Sequence, residues 1–208
     1  AAKPVSFDPS DVKFYNKIDD LLKDKNVEIV DVCLPTYLHK DAVVKSAKAG
    51  KNILCEKPIA ISLKEADEMI NASKKAKVKF MVAHVIRFWP EYVVLKEIIQ
   101  NKTLGNLLYV TFVRHSPTPT WSWNNWILDS KKSLSATVDL HIHDADYVYY
   151  ICGKPKRLVS VGTSKVTKGI DHISTEYYFN KNIKVVAEGG WAFPGNYPFR
   201  MAFWAVFE

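Results

Sequence analysis

Two groups of residues in this 208-residue sequence have the types and spacing to handle the proton of a hydroxyl group. The first is Glu56-Lys57-Pro58, a lysine between an acid and a proline at the end of the apolar run 52–56. If that run is a strand, Lys57 sits at its carboxyl edge, and Pro58 removes a backbone donor and stiffens the turn. An ammonium held there can hydrogen-bond a substrate oxygen and favour the negative charge that develops on it. Taken alone, such a lysine is a surface residue. The second group is Asp139-Leu140-His141-Ile142-His143-Asp144. Residues four apart share a helical face, so on a helix Asp139 and His143 point the same way, with Tyr147 one turn on. A carboxylate beside an imidazole orients it, and histidine is suited to accept a hydroxyl proton near neutral pH. The plainer reading is a first-turn aspartate and a satisfied, partly buried histidine. His141 falls on another face of the helix and reads as structural.

On a strand the same segment would place His141 and His143 together, and Asp139, His141 and His143 would resemble the metal set of a hydrolase. The flanking ADYVYYIC favours a helix, so no metal is expected there. Cys33, Cys55 and Cys152 show no CxxC spacing, which points to reduced thiols in a cytoplasmic protein.

The elements that must position these groups change character along the chain. In the first half, 15–25 has Ile18, Leu21 and Leu22 on one helical face, and 28–35 is a β-branched run ended by Pro35. A helix is expected over 39–50, closed by Gly50, then a strand at 52–56. Ser62-Leu63-Lys64-Glu65 is a capping box that opens a helix to about Ala76, with Leu63, Ala66, Met69, Ile70 and Ser73 expected on its buried face. A third strand follows at 79–84. Strands nearly continuous in apolar residues, separated by helices, imply a parallel sheet covered on both faces. After a helix at 90–101 strands dominate, at 106–115, 156–166, 172–179, 184–191 and 199–208, with short turns such as Asn180-Lys181-Asn182. That is the pattern of an antiparallel sheet. It is interrupted by the loop 116–132, rich in Trp, and by a helix over about 134–151. The expected fold is therefore α/β plus α+β: an incomplete, doubly wound Rossmann-type parallel sheet over 1–85, then a large, mostly antiparallel sheet over 86–208.

Composition excludes other classes. With 48% hydrophobic and 25% charged residues the chain reads as globular. No apolar stretch is long enough to span a membrane, and the first residues lack a leader pattern. The net charge of +7 could suggest nucleic acid, but only four of the 29 cations are Arg (Arg87, Arg114, Arg157, Arg200). Base and phosphate recognition leans on Arg, so the lysines read as a solvated surface and no nucleic-acid partner is expected.

Glu56-Lys57-Pro58 and Asp139-x-x-x-His143-Asp144, in this order, resemble the glucose-fructose oxidoreductase/inositol dehydrogenase (Gfo/Idh/MocA) family. Val30 to Thr36 with His39, Arg87-Phe88, Trp126 and Gly189-Gly190-Trp191 agree. The resemblance runs through almost the whole chain. It implies NAD or NADP as cofactor, a sugar, cyclitol or related polyol as substrate, and homo-oligomers formed through the antiparallel sheet. It implies that Lys57 binds the reacting hydroxyl, that His143 is the general base, and that Asp139 orients substrate and base. Pro35, Thr36, His39, Glu56 and Pro58 would line the cofactor side, with Arg87 and Trp126 as further contacts. Specificity is expected to lie in 115–132 and around His172.

The sequence also departs from the family. None of its eight glycines (50, 105, 153, 162, 169, 189, 190, 195) forms the GxGxxG that cradles a pyrophosphate. The expectation is a piece of a longer enzyme, ending mid-strand at Glu208 and inactive by itself. Leu134-Ser135-Ala136 stands where the family usually has a glycine pair, and Ile127 follows Trp126 where Arg is common. The competing readings are the metal hydrolase and a catalytically silent oligomeric binding module.

Overall fold

Short β-branched runs and amphipathic helices alternate through the first half, and in the computed structural model, which describes residues 8–180 and 182–208, they form a parallel layer. The residues before Asp8, read above for the lack of a leader, and Lys181 of the expected Asn180-Lys181-Asn182 turn lie outside the described residues. In chain order the first elements are α1 (Ile18–Lys23), β1 (Ile29–Val32), α2 (His39–Lys48), β2 (Asn52–Cys55), α3 (Leu63–Ala76) and β3 (Phe80–Val82). The sheet order is β1-β2-β3, parallel throughout, with Val30 opposite Ile53 and Val32 opposite Cys55. These four side chains are buried against Ala42, Val43 and Ala47 of α2 and Met69 of α3.

Among the described residues, the helices α2 and α3 cover one face of the sheet. Ile29 is 64% and Met81 49% exposed on the other side. Crossovers of one hand that step the same way across a sheet put their helices on the same face, and α2 packs on α3. The Ser62 cap is present, its Oγ accepting from Glu65 N at 3.2 Å. Met69 and Ser73 are buried as expected, but Leu63 is 86% exposed, because the first residue of α3 precedes the turns that lie on the sheet.

The second half contains α4 (Pro90–Asn101), β4 (Leu107–Pro117), α5 (Ser130–Ser133), α6 (Ser135–Asp139), α7 (Ile142–Cys152), β5 (Arg157–Thr163), β6 (His172–Tyr178), β7 (Lys184–Phe193) and β8 (Arg200–Phe207). The sheet order is β5-β6-β7-β4-β8; only the β4–β7 pair is parallel. Alternate residues give it an inner face, where Val110, Phe112, Tyr177, Val185 and Ala187 pack with Tyr92 and Leu95 of α4 and with Tyr147 and Val148 of α7. Tyr92 is the hub, 4.8 Å from Tyr147 and 5.3 Å from Phe203 between ring centroids. No helix among the described residues is long and apolar enough to cross a membrane.

The helix expected over 134–151 is instead two pieces, α6 and α7, with the short α5 just before them. Leu134 and Ser135 both have positive φ (59° and 57°), so the chain reverses hand before α6 starts. This is the backbone that a glycine pair adopts without strain. Here it is held by Ser135 N donating to Ser133 Oγ (3.0 Å) and Ala136 N donating to Ile170 O (3.1 Å). A second break separates α6 from α7, where the amide of His141 reaches five residues back to Ala136 O at 2.8 Å.

Gly190 marks the tightest approach in the sheet. A Cβ there would lie 2.4 Å from His172 Nδ1 and 2.6 Å from both Asp171 O and His172 Cα. Because two of those atoms are backbone, Gly190→Ala is expected to lower stability by about 1–3 kcal/mol, read as a drop in the urea midpoint of unfolding.

Candidate functional site

The turn after β2 carries Glu56, Lys57 and Pro58, and Lys57–Pro58 is a cis peptide. His39 holds this turn from below. It is fully buried at the start of α2, with Nδ1 3.0 Å from Pro58 O and Nε2 2.7 Å from Leu34 O. The ring thus links the turn after β1 to the turn after β2, and both its nitrogens face main-chain carbonyls.

Lys57 leaves this base and reaches the second half of the chain. Its Nζ donates to Asp139 O at 2.7 Å and lies 3.5 Å from Asp139 Oδ1. The helix break explains why that carbonyl is available. The amides of Leu140 and His141 both turn to Ala136 O, and His143 N points to Leu140 O at 3.4 Å. The carbonyl of Asp139 therefore sits at a helix end, where an acceptor needs a donor from elsewhere, and Lys57 supplies it.

Three anchors fix α7 and with it His143. Asp144, wholly buried, receives two bonds from Arg114 of β4, Nε at 2.8 Å and Nη2 at 3.0 Å. Asp146 receives Arg87 Nε at 2.7 Å and a second bond from Arg87 Nη2. Tyr147 donates its hydroxyl proton to Tyr92 O. His143 itself has a buried Nδ1 with no partner. Burial pushes its pKa down to about 2, helped by the positive charges of Lys57 and Arg114 and by His84. The imidazole is therefore neutral and close enough to Lys57 to feel its charge.

The expectation that Asp139 and His143 share one helical face is corrected by this geometry. They lie on different helices, and Asp139 pairs with Lys57. His141 behaves as a structural residue: it is buried, and its Nε2 lies 3.2 Å from Thr175 Oγ1. Asp139, His141 and His143 are thus directed to separate surroundings and do not assemble a hydrolase metal set. The group among the described residues whose ligand atoms do converge is His115, His172 and Glu188.

A cleft of about 490 Å³ opens beside Lys57. Thr36, Glu56, Lys57, Trp126 and Asp139 line it, as do Trp191 and Phe199. Pro35 is half-buried next to Thr36, whereas Pro58 and His39 are buried beneath the turn and offer no polar side-chain atom to the cleft. Arg87 is not part of the wall: its guanidinium is forked onto Asp146 and lies over the Tyr150 ring at 4.6 Å. That makes it a support for α7.

Trp191 and its anchor were not singled out as site residues by the sequence. Asp171 is buried and accepts from Trp191 Nε1 at 2.9 Å, from the amides of Lys165, Val166 and Thr167, and from the Thr167 hydroxyl. Burial opposes its charge, but those donors outweigh it and hold the carboxyl at about 2. The Gly189-Gly190-Trp191 motif was the available signal; nothing local flagged Asp171. The Trp-rich segment 116–132 also reaches the site. Trp126 lies edge-on to Tyr37 at 6.3 Å, while Trp121 is 80% exposed at the rim.

Comparison with known proteins gives a consistent placement. Residues 3–84 match the family model described as an oxidoreductase family with an NAD-binding Rossmann fold, and residues 92–206 match the GFO/IDH/MocA C-terminal domain. The chain is 32% identical over 186 residues to 2,7-anhydro-N-acetylneuraminate hydratase of Mediterraneibacter gnavus, covering 85% of this chain and 49% of that protein. It is 35% identical over 144 residues to myo-inositol 2-dehydrogenase of Thermotoga maritima, covering 68% and 41%. In fold it resembles levoglucosan dehydrogenase, solved with NADH and levoglucosan, with a TM-score of 0.81 at 22% identity over 92% of this chain and 55% of that one. The chain thus spans about half the length of the proteins it matches.

The depressed basicity of His143 sets a pH dependence. The unfolded chain takes up a proton at this residue below its ordinary value of 6.5, while the folded chain does not until about 2. The unfolded state then binds more protons, and stability is lost as pH falls from 6.5 downward. A His143→Asn variant is expected to lose less stability than the parent over that fall, measured as urea midpoints across a pH series.

Proposed function

The chain belongs to the GFO/IDH/MocA oxidoreductase family, and from this membership and the Lys57 geometry we propose that it carries the substrate side of an enzyme transferring hydride between NAD or NADP and a CH–OH group of a sugar, cyclitol or related polyol. In this reading residues 1–85 are the dinucleotide-binding part and 86–208 the substrate-binding and oligomerisation part. The observation that carries it is the Lys57–Asp139 contact, which joins two segments 82 residues apart at the mouth of one cleft.

The cleft lies beyond the carboxyl ends of β1 and β2, where open parallel sheets take their ligands. Its size, and its mixture of Thr36, Glu56 and aromatic side chains, fit the nicotinamide end of a dinucleotide together with a sugar-sized ring. Thr36, Glu56 and Trp126 would hold that end, with Pro35 beside them and His39 and Pro58 shaping the turns below. When bound, the nicotinamide supplies the hydride acceptor or donor. Lys57 binds the reacting hydroxyl oxygen and lowers the cost of its negative charge. His143, neutral in the folded chain, takes the hydroxyl proton at an imidazole nitrogen in oxidation and returns it in reduction. Asp139 keeps Lys57 aimed and balances its charge, while Arg87 acts at one remove by holding α7.

The outer face of the second sheet supports self-association. Val161 of β5 is 71% exposed, and Trp204 and Val206 of β8 are 49% and 52% exposed. An apolar face of this kind fits a second copy of the chain. Cys33 and Cys55 remain thiols, which suits a reducing cytoplasm.

The test is a panel of sugars and cyclitols with the full-length protein, following NAD(P)H absorbance. Lys57→Ala is expected to cut kcat/KM by about 100-fold or more. His143→Asn is expected to remove the proton-transfer contribution, on the order of 100-fold. Unchanged turnover in Lys57→Ala would favour the silent binding module instead.

A further inference from the structure

Three strands of the second sheet bring two imidazoles and a carboxylate together at a place the proposed reaction does not use. We propose that His115, His172 and Glu188 form a binding site for a divalent transition metal of the zinc type, tying β4, β6 and β7 together. The inference is independent of the hydride-transfer reading.

The site follows from register. β7 runs between β6 and β4, and Gly190 is the partner of both His172 on β6 and His115 on β4. Directly opposed residues project to the same face of a sheet. With no side chain at 190, the two rings lean over β7 from either side, their centroids 5.6 Å apart. Glu188 is two residues back on β7 and so on that same face. Its Oε1 lies 3.1 Å from the Nε2 of each histidine. All three candidate ligand atoms fall within 4.8 Å of one another.

The donor set suits such an ion. Two imidazole nitrogens and one carboxylate oxygen are a common three-ligand zinc arrangement, with a fourth position left to water. Tetrahedral bonds of about 2.0–2.1 Å place ligand atoms roughly 3.4 Å apart, so the two 3.1 Å edges need open only slightly. Neutral imidazoles bind through Nε2 once that proton has moved to Nδ1 or to solvent, and Glu188 exchanges two hydrogen bonds for coordination. The side chains are 15%, 26% and 39% exposed, which gives an ion access. The Phe193 ring packs on His115 at 4.5 Å and restricts its orientation.

The test uses the whole protein, stripped with a chelator and then titrated with zinc chloride or cobalt chloride. Metal content is measured after dialysis, and the cobalt form is followed by its visible d–d absorption. One ion per chain is expected, with a rise in Tm on binding. His172→Ala and Glu188→Gln should each weaken uptake by about 100-fold or more, beyond what loss of an outer partner costs. Glu188→Gln keeps the size of the side chain and one acceptor, so its loss of metal is not a folding failure; circular dichroism confirms this. Absence of saturable uptake would overturn the proposal, as would uptake that persists in both variants. Uptake lost in His141→Ala but kept in His172→Ala would also overturn it, in favour of the Asp139 segment.

Discussion

The bond from the Lys57 ammonium to the main-chain carbonyl of Asp139 is the contact on which the site depends. A carbonyl at a helix end needs a donor, and a lysine withdrawn from water needs an acceptor. Each need is met by the other, and the two halves of the chain are joined there. The broken helix is therefore part of the site. Had α6 run on into α7, His143 N would have taken the Asp139 carbonyl, and Lys57 would have kept only the longer contact to Oδ1.

The same logic governs how α7 is held. Arg114 and Asp144 are nearly inaccessible to solvent, and a buried pair of this kind is weak evidence of net stability. What a forked guanidinium–carboxylate pair does supply is direction, because both bonds form at only one orientation. Asp144, held by Arg114 of β4, and Asp146, held by Arg87 on the turn after β3, set the rotation of α7, and Tyr147 sets its height over Tyr92. In the proposed reaction these residues act on His143 without touching substrate, which is why acids and arginines cluster around a helix whose inner face is otherwise aromatic.

Much of this was legible in the sequence because it is local. The Ser62 cap, the strand at 52–55 and the turn at Glu56-Lys57-Pro58 depend on neighbours in the chain. What was not legible depends on partners far away. The i, i+4 rule joined Asp139 to His143 because it cannot see a lysine 82 residues upstream that claims a backbone carbonyl. The fork of Arg87 onto Asp146 joins two different elements. The two carbonyl partners of His39 are visible only once both turns are in place. Leu134 and Ser135 adopt the backbone of a glycine pair without containing glycine, which residue type alone could not announce. His115, His172 and Glu188 meet only because the sheet order places β7 between β6 and β4.

The charge of Lys57 also links the two residues proposed to do the chemistry. It is among the causes that depress the basicity of His143, after burial itself. A base held that low is a weak proton acceptor, and Brønsted behaviour favours one nearer the working pH. The proposed substrate relieves the part of this opposition that comes from Lys57. As a hydroxyl on Lys57 loses its proton, the oxygen's growing negative charge offsets the ammonium, and the field at His143 weakens as the imidazole must accept. Lys57 thus favours the alkoxide directly and ceases to oppose the base at the same moment. The pairing with Asp139 serves this step by keeping the ammonium aimed while the cleft is open to water.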